Sequence, residues 1–159
     1  MMIETIIIGE KEIRFKASAA TPVLFKRAFK QDLTSELAGY AKQYKEAKKL
    51  QEIIRSSVND PKDGFEPRSK EEIEKVLLAV TQSPEYIEMS AQAADLLPKL
   101  AYIMYLEANV EQKAIFSKLS EDEYIFWLSQ YDQTDLQLHF GDFMRMWNGN
   151  SKTTSKPKN

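Results

Sequence analysis

The chain has 159 residues and a net charge of −2, with 43% hydrophobic and 29% charged residues. This length and composition are typical of one folded domain, exclude the low-hydrophobicity class of disordered proteins, and provide no overall attraction to nucleic acid or anionic membrane. Because the chain contains no cysteine, disulfides, thiolate nucleophiles and cysteine-ligated metals are excluded.

Residues 1–17 predict a β-hairpin. Ile3–Ile8 is rich in β-branched residues, and the segment after the turn alternates polar and apolar side chains. Gly9-Glu10 can form a two-residue turn with glycine at the first central position, which places Ile6 opposite Ile13 on one face. Because an isolated hairpin is marginal in water, we expect it to pack against the rest of the chain.

The remainder of the chain is predicted to be helical, with a first helix from Thr21-Pro22 to about Gly39. Thr21 supplies a capping hydroxyl directly before a proline that suits the first helical position. Apolar residues then follow at four-residue spacing, at Phe25, Phe29, Leu33 and Leu37. A second amphipathic helix is predicted over Tyr40–Val58, and the breaker residues of Asn59–Arg68 predict a loop.

Four further helices are predicted, over Glu71–Gln82, Glu85–Ala108, Ser120–Asp132 and Thr134–Trp147. Their starts carry cap signals, either a capping box or a serine before a proline. These signals are Ser69…Glu72, Ser83-Pro84, Ser120…Glu123 and Thr134…Gln137.

The Glu85–Ala108 segment is apolar around most of its circumference, which is typical of a central helix in a bundle. Pro98 is expected to kink or restart this helix, because proline lacks an amide donor and crowds the preceding turn. Gly149 suits the left-handed position that closes the last helix. We therefore predict a mainly α, single-domain helical bundle of about five to seven helices over residues 1–150, with an N-terminal β-hairpin and a disordered, flexible tail over residues 151–159.

His139 is the only histidine, and it has Asp135 and Asp142 at helical spacing. A base supported by a carboxylate is therefore one interpretation. No pattern for a nucleophile or an oxyanion site accompanies it, so an ordinary histidine is the favoured interpretation. We predict no catalytic residue, no cofactor and no enzymatic activity.

Two acidic groups, Glu71-Glu72-Glu74 and Glu121-Asp122-Glu123, resemble sets of metal ligands in composition. Both lie in the first turn of a predicted helix, where the helix dipole favours negative charge. Stabilisation of the helix start is the favoured interpretation, so no metal site is predicted.

The helix face over Lys42–Arg55 is rich in basic residues. Nucleic-acid binding is one interpretation, but Glu46 and Glu52 interrupt the face and no nucleic-acid fold pattern surrounds it. A solvated helix face is favoured. A helical adaptor or nucleic-acid-binding regulatory protein that uses this face remains the alternative function.

Aromatic stripes on the last two predicted helices are expected to form core. Their members are Tyr124, Trp127, Leu128 and Tyr131, then Leu136, Phe140, Phe143, Met144 and Trp147. Ile125, Phe126 and Met146 lie off these stripes and either are buried in another way or form an exposed patch for a partner helix. The candidate partner-binding residues are Ile125, Phe126, Phe140, Phe143, Met146 and Trp147.

Several segments resemble the tail assembly chaperones of long-tailed phages and prophages of Gram-positive bacteria. In the second half these segments are Lys99–Met104, Phe126–Tyr131 and Asp142–Thr153. The hairpin segment Gly9–Lys16 and the following Ala20–Leu33 are similar to the opening of that family. The resemblance extends over about two thirds of the chain. It lies in patterns of packing residues and not in catalytic motifs.

The resemblance implies a non-enzymatic protein that binds the tape measure protein, keeps it soluble and helps recruit tail tube subunits. It also implies helical structure, self-association, a location in the cytoplasm of the bacterial host and absence from the mature virion. The sequence agrees with this location, since it has no apolar run of roughly twenty residues and no basic signal-peptide start. No membrane partner is expected, and nucleic acid is not favoured as a partner.

The family commonly produces a longer form by programmed ribosomal frameshifting. Pro157-Lys158-Asn159 can be encoded as CCA-AAA-AAC, which contains a slippery heptamer. We hypothesise that the frameshift occurs there and turns residues 151–159 into a linker. Reading the gene tests this, because other codons at Lys158 and Asn159, with no slippery run at Lys152 or Lys156, would contradict it.

Overall fold

The computed structural model describes residues 2–59, 75, 78, 82 and 84–151. Their backbone is mainly helical with an N-terminal two-stranded antiparallel hairpin, which confirms the predicted fold class. Several predictions lie wholly or largely outside the described residues. They are the loop after Asn59, most of the helix Glu71–Gln82, the cap signals at Ser69 and Ser83, and the tail from residue 152.

Strands β1 (Met2–Ile8) and β2 (Lys11–Ala17) form the hairpin, with Ile6 paired to Ile13 as predicted. Gly9 adopts φ +64°, the left-handed value that the first central position of the predicted turn requires. One face is buried through Ile6, Ile8, Ile13, Phe15 and Ala17. The turn chemistry and the alternation of side chains therefore determine both the register and the packed face.

Helices α1 (Thr21–Phe29) and α2 (Leu33–Asn59) replace the first two predicted helices, whose boundary at Gly39 is wrong. Lys30 takes φ 59°, which turns its backbone out of the helix, and its amide donates to the Lys26 carbonyl. Asp32 then starts α2, since its Oδ1 accepts from the Thr34 amide at 3.1 Å. α2 continues through Gly39 because a glycine inside a helix costs only about 1 kcal/mol.

Helix α3 (Pro84–Asn109) is close to the predicted central helix and contains Pro98 without ending there, so the helix does not restart. Burial around most of the circumference, predicted for the whole helix, holds for the second half alone, since Ile87 in the first half is 56% exposed. The buried side chains are Leu96, Leu97, Leu100, Ala101, Tyr102, Ile103, Met104 and Leu106. Each large apolar side chain buried in this way contributes about 1.5–3 kcal/mol of transfer free energy.

The C-terminal part contains α4 (Gln112–Ile115), a 3-10 turn (Phe116–Lys118), α5 (Glu121–Leu128), α6 (Gln133–Gln137) and α7 (Phe140–Ser151). The prediction of one helix over Thr134–Trp147 is therefore wrong, because this segment contains two helices, α6 and α7. The predicted cap at Thr134 is also wrong, because Asp132 starts α6 by accepting from the Thr134 amide at 2.8 Å. Gly149 lies inside α7 and has no positive φ, so it does not close the helix.

The described residues separate into two compact units. One unit comprises Met1–Glu36 with Ala94–Asn159, and the other comprises Leu37–Ala93. In the second unit, Leu37, Tyr40, Met89 and Ala93 are buried. The domain boundary at residue 150 stays a prediction.

Candidate protein-binding surface

Helix α5 presents two adjacent large apolar side chains to solvent. Ile125 is 57% exposed and Phe126 is 69% exposed. The Ser120 hydroxyl caps the helix, as predicted, by accepting from the Glu123 amide at 3.2 Å. Three acidic residues follow in the first turn, where the helix dipole favours negative charge. This short helix is therefore well defined at its start.

The opposite face of α5 is anchored by aromatic contacts. The Tyr124 ring lies 5.2 Å from the Phe29 ring of α1, and the Trp127 ring lies 5.4 Å from the Tyr102 ring of α3. Tyr124 and Trp127 are both buried. Because successive helix residues differ by about 100° in direction, burial of positions 124 and 127 turns positions 125 and 126 outward.

Phe140 lies beside a depression on the same unit. The depression has a volume of about 240 Å³ and is lined in part by Pro98, Leu128, Leu136 and Phe140. Phe140 is half-buried. A depression of this size can accept one large apolar side chain of a partner, which is how binding surfaces commonly hold an anchor residue.

The other three candidate residues are buried, so Met146 follows the first of its two alternatives, burial in the core, and none of the three is available to a partner as the candidate list requires. Phe143 and Met146 are 0% exposed and Trp147 is 8% exposed. Positions 143, 146 and 147 share one helix face at spacings of three and four. The Phe143 ring meets Phe15 of β2 with 5.2 Å between ring centroids, so this face is covered by the hairpin.

His139 lies at one end of a chain of hydrogen-bonded side chains that connects α7 to β1. Its Nδ1 is 2.8 Å from Asp142 Oδ2, and Asp142 Oδ1 accepts from Arg145 at 3.2 Å. Arg145 also donates to both carboxylate oxygens of Glu4, at 2.5 and 2.8 Å. Asp135, the other predicted neighbour, lies instead against the Gly9 turn.

The same contacts lower the pKa values of both carboxyl groups. The hydrogen bond from Arg145 holds the pKa of Glu4 below its usual range, and His139 with Arg145 does the same for Asp142. Both carboxylates therefore stay ionised at neutral pH. The arrangement is that of an ion-pair link between two elements.

Glu107 forms a second polar site, which the sequence prediction missed. The Thr21 hydroxyl donates to Glu107 Oε2 at 2.6 Å, and the Ser18 hydroxyl donates to the other oxygen. Thr21 is 0% exposed and does not cap α1 through its side chain, so that predicted role is wrong. Burial raises the pKa of Glu107, against the opposing effects of the two hydroxyls and Lys16. The sequence signal for this site is that Glu107 is the only charged residue in the otherwise apolar stretch Leu100–Ala108.

The basic face of α2 belongs to the second unit. Lys42, Lys45 and Lys49 are exposed, and Glu46 is exposed among them. The side chains over residues 50–59 lie outside the described ones. The described part therefore has the mixed charge of a solvated face.

Metal and membrane sites were sought over residues 2–59, 75, 78, 82 and 84–151. In these ranges no three histidine, aspartate or glutamate side chains form a group that could hold a metal ion. None of the helices in the described part is both long and apolar enough to cross a membrane.

Comparison with known proteins returned no match. No protein-family model, no curated protein and no solved structure is similar to this chain at a significant level.

Proposed function

We propose that this protein is a tail assembly chaperone of a long-tailed phage or prophage of a Gram-positive host. In this role it binds the tape measure protein without catalysis, keeps it soluble in the host cytoplasm, helps recruit tail tube subunits and leaves before the virion is complete. The resemblance of the hairpin and C-terminal segments supports this role.

The observation that carries the proposal is the exposed pair Ile125 and Phe126 on α5. A chaperone for a long helical protein must offer apolar surface to side chains that would otherwise aggregate. The two residues project from a helix whose other face is held by Tyr124 and Trp127, so the surface is formed before binding. Such preorganisation reduces the entropy lost when a partner binds.

Phe140 extends the proposed surface through the depression of about 240 Å³ that it lines. A partner helix with apolar residues at three- and four-residue spacing suits this combination of exposed side chains and a recess. Phe143, Met146 and Trp147 support α7 from within the core and are not part of the proposed surface.

Co-expression with the tape measure protein of the same phage tests the proposal. We expect the tape measure protein to become soluble and to co-purify with the chain. Replacing both apolar residues, as Ile125→Ser with Phe126→Ser, is expected to reduce the soluble complex at least about tenfold, since residues central to an interface commonly carry 1.4 kcal/mol or more.

Ile7→Thr is the matched control for this experiment. Ile7 is 56% exposed on β1, so its replacement removes an exposed apolar surface comparable with that of Ile125 elsewhere on the same unit. If the tape measure protein stays insoluble when it is co-expressed with the unaltered chain, the proposed function is contradicted. Salt-sensitive recovery of nucleic acid, abolished by Lys42→Glu with Lys45→Glu, would instead favour the adaptor function.

A further inference from the structure

The outer face of α1 combines exposed apolar and basic side chains with an aromatic ring from the 3-10 turn. Val23 is 66% exposed and Phe116 is 57% exposed. The Arg27 guanidinium lies over the Phe116 ring, 4.8 Å from its centroid. Val23 and Arg27 are four residues apart, so they lie on the same side of the helix. We call Val23, Lys26, Arg27, Lys30 and Phe116 the α1 surface.

The positive charges of the α1 surface are not neutralised within the described part of the chain. None of the ion pairs found there includes Lys26, Arg27 or Lys30. The nearby Asp32 carboxylate accepts backbone amides at the start of α2. The α1 surface is therefore positive, although the whole chain has a net charge of −2.

Helix stability explains only part of this arrangement. Cations in the last turn of α1 are favoured by the helix dipole, and Lys30 Nζ donates to the Arg27 carbonyl. These effects account for the positions of the basic residues. They do not account for the large apolar side chains of Val23 and Phe116 that lie exposed beside them.

The shape of the α1 surface provides a place for an extended partner. A shallow depression of about 550 Å³ is lined by Pro22, Val23, Lys26, Arg27, Lys30 and Asp32. A second depression of about 260 Å³ has an apolar part formed by Leu24, Ile115 and Phe116 and a polar part formed by Lys16, Ser18, Glu107 and Gln112. Phe116 connects the two, because it lines the second and contacts Arg27 of the first. The smaller recess can hold one large side chain.

We infer that the α1 surface binds an acidic amphipathic helix. The apolar stripe of such a helix would lie on Val23 and Phe116, with one bulky side chain in the smaller depression. Its aspartate and glutamate residues would lie opposite Lys26, Arg27 and Lys30. This charge pattern complements the surface, and opposite charges at an interface both steer association and determine the orientation of the partner.

A nucleic acid fits the α1 surface less well than an acidic helix. One face of the Phe116 ring is already covered by Arg27, which limits base stacking. Val23 offers nothing to a phosphate backbone. The net charge of the chain also gives no long-range attraction to a polyanion. This inference does not depend on the proposed function, because it concerns a different surface and names no particular partner protein.

Binding of designed helical peptides to the full chain tests the inference. Fluorescently labelled amphipathic peptides of one length share the same apolar positions and differ in whether their polar face is acidic, neutral or basic. A fourth peptide has the acidic composition in scrambled order. We expect the acidic amphipathic peptide to bind at least about tenfold more tightly than the other three, and its binding to weaken with added salt.

Matched variants localise the binding. We expect Phe116→Ser to weaken binding of the acidic peptide at least about tenfold. We expect the same of the double variant Lys26→Glu with Lys30→Glu. Ile87→Ser and Lys42→Glu with Lys45→Glu are the controls, since Ile87 is 56% exposed and both lysines are exposed on the other unit. Circular dichroism of each variant verifies that it is folded.

The inference is overturned if no acidic peptide binds, if the scrambled peptide binds equally, or if the control variants weaken binding as much as the α1 variants. A labelled single-stranded oligonucleotide that binds more tightly than the acidic peptide, with loss in Lys26→Glu and Lys30→Glu, also overturns it. Tape measure solubility that persists in Phe116→Ser leaves the proposed function intact, so the two failures are distinguishable.

Discussion

Helices α5 and α7 have similar aromatic content but opposite relations to solvent. α5 buries Tyr124 and Trp127 and leaves Ile125 and Phe126 exposed, whereas α7 buries Phe143 and Met146 completely. The difference comes from what covers each helix. α7 is covered by the hairpin through the Phe15–Phe143 contact, while nothing in the described part of the chain buries the outer face of α5. Aromatic composition alone therefore does not distinguish core from binding surface.

The largest expected change in the free energy of unfolding distinguishes the buried face of α7 from the exposed face of α5. Phe143→Ala leaves a cavity beneath the hairpin and is expected to lower the free energy of unfolding by about 3–5 kcal/mol. Phe126→Ala removes an exposed side chain and is expected to change it by less than about 0.5 kcal/mol. Urea denaturation followed by circular dichroism measures both. Equal losses of stability in the two variants would mean that Phe126 of α5 is buried in the same way as Phe143 of α7.

A smaller effect at Glu107 tests how much this polar site contributes to the stability of the segment that joins the hairpin to α1. Glu107→Ala removes the acceptor of the Ser18 and Thr21 hydroxyls, which lie where the hairpin leads into α1. Leaving these hydroxyls without their acceptor is expected to cost about 1–3 kcal/mol at pH 7. No measurable loss would show that this polar site does not stabilise the fold.

The pH dependence of stability gives Glu107 its own signature. Burial raises the pKa of Glu107 above its ordinary 4.5, so the folded state binds the proton more tightly than the unfolded state. The contribution of this group is then fully present below pH 4.5 and is lost as the pH rises through the folded pKa. Relative to Glu107→Gln, the unaltered protein should lose stability over that window, as measured by denaturation at successive pH values.

A further small loss of stability is expected when the ion-pair link between α7 and β1 is removed. Arg145→Gln is expected to cost less than about 1 kcal/mol, because exposed pairs are screened by water and salt. The pKa values of Glu4 and Asp142 are lowered, so their contribution is present above their ordinary values and is lost as the pH falls through the folded ones. We expect the Arg145→Gln variant to lose less stability at acid pH than the unaltered protein does. An unchanged acid limb of the stability profile would contradict the link.

Sequence patterns predicted the elements whose causes are local. The hairpin register follows from Gly9 and from alternation, and the start of α5 follows from the Ser120 cap. The break between α1 and α2 was missed, because lysine carries no signal for the left-handed backbone that Lys30 adopts. Asp132 took the capping role assigned to Thr134, since both residues suit a helix start and only the packed backbone selects one.

The candidate surface was predicted in part. Ile125 and Phe126 are exposed, whereas Met146 is in the core, on the same helix face as Phe143, whose ring contacts Phe15 of the hairpin. The Glu107 site and the α1 surface were not found from the sequence. Each joins residues far apart in the chain, Ser18 with Glu107 and Arg27 with Phe116.

The sequence by itself determined the fold class, the hairpin with its register and the apolar second half of α3. These depend on turn chemistry and on the period of apolar residues, which act over a few neighbouring positions. Only the tertiary structure decided which aromatic faces are buried and which remain available to a partner. Burial depends on the element that packs against a face, and that element is supplied by a distant part of the chain.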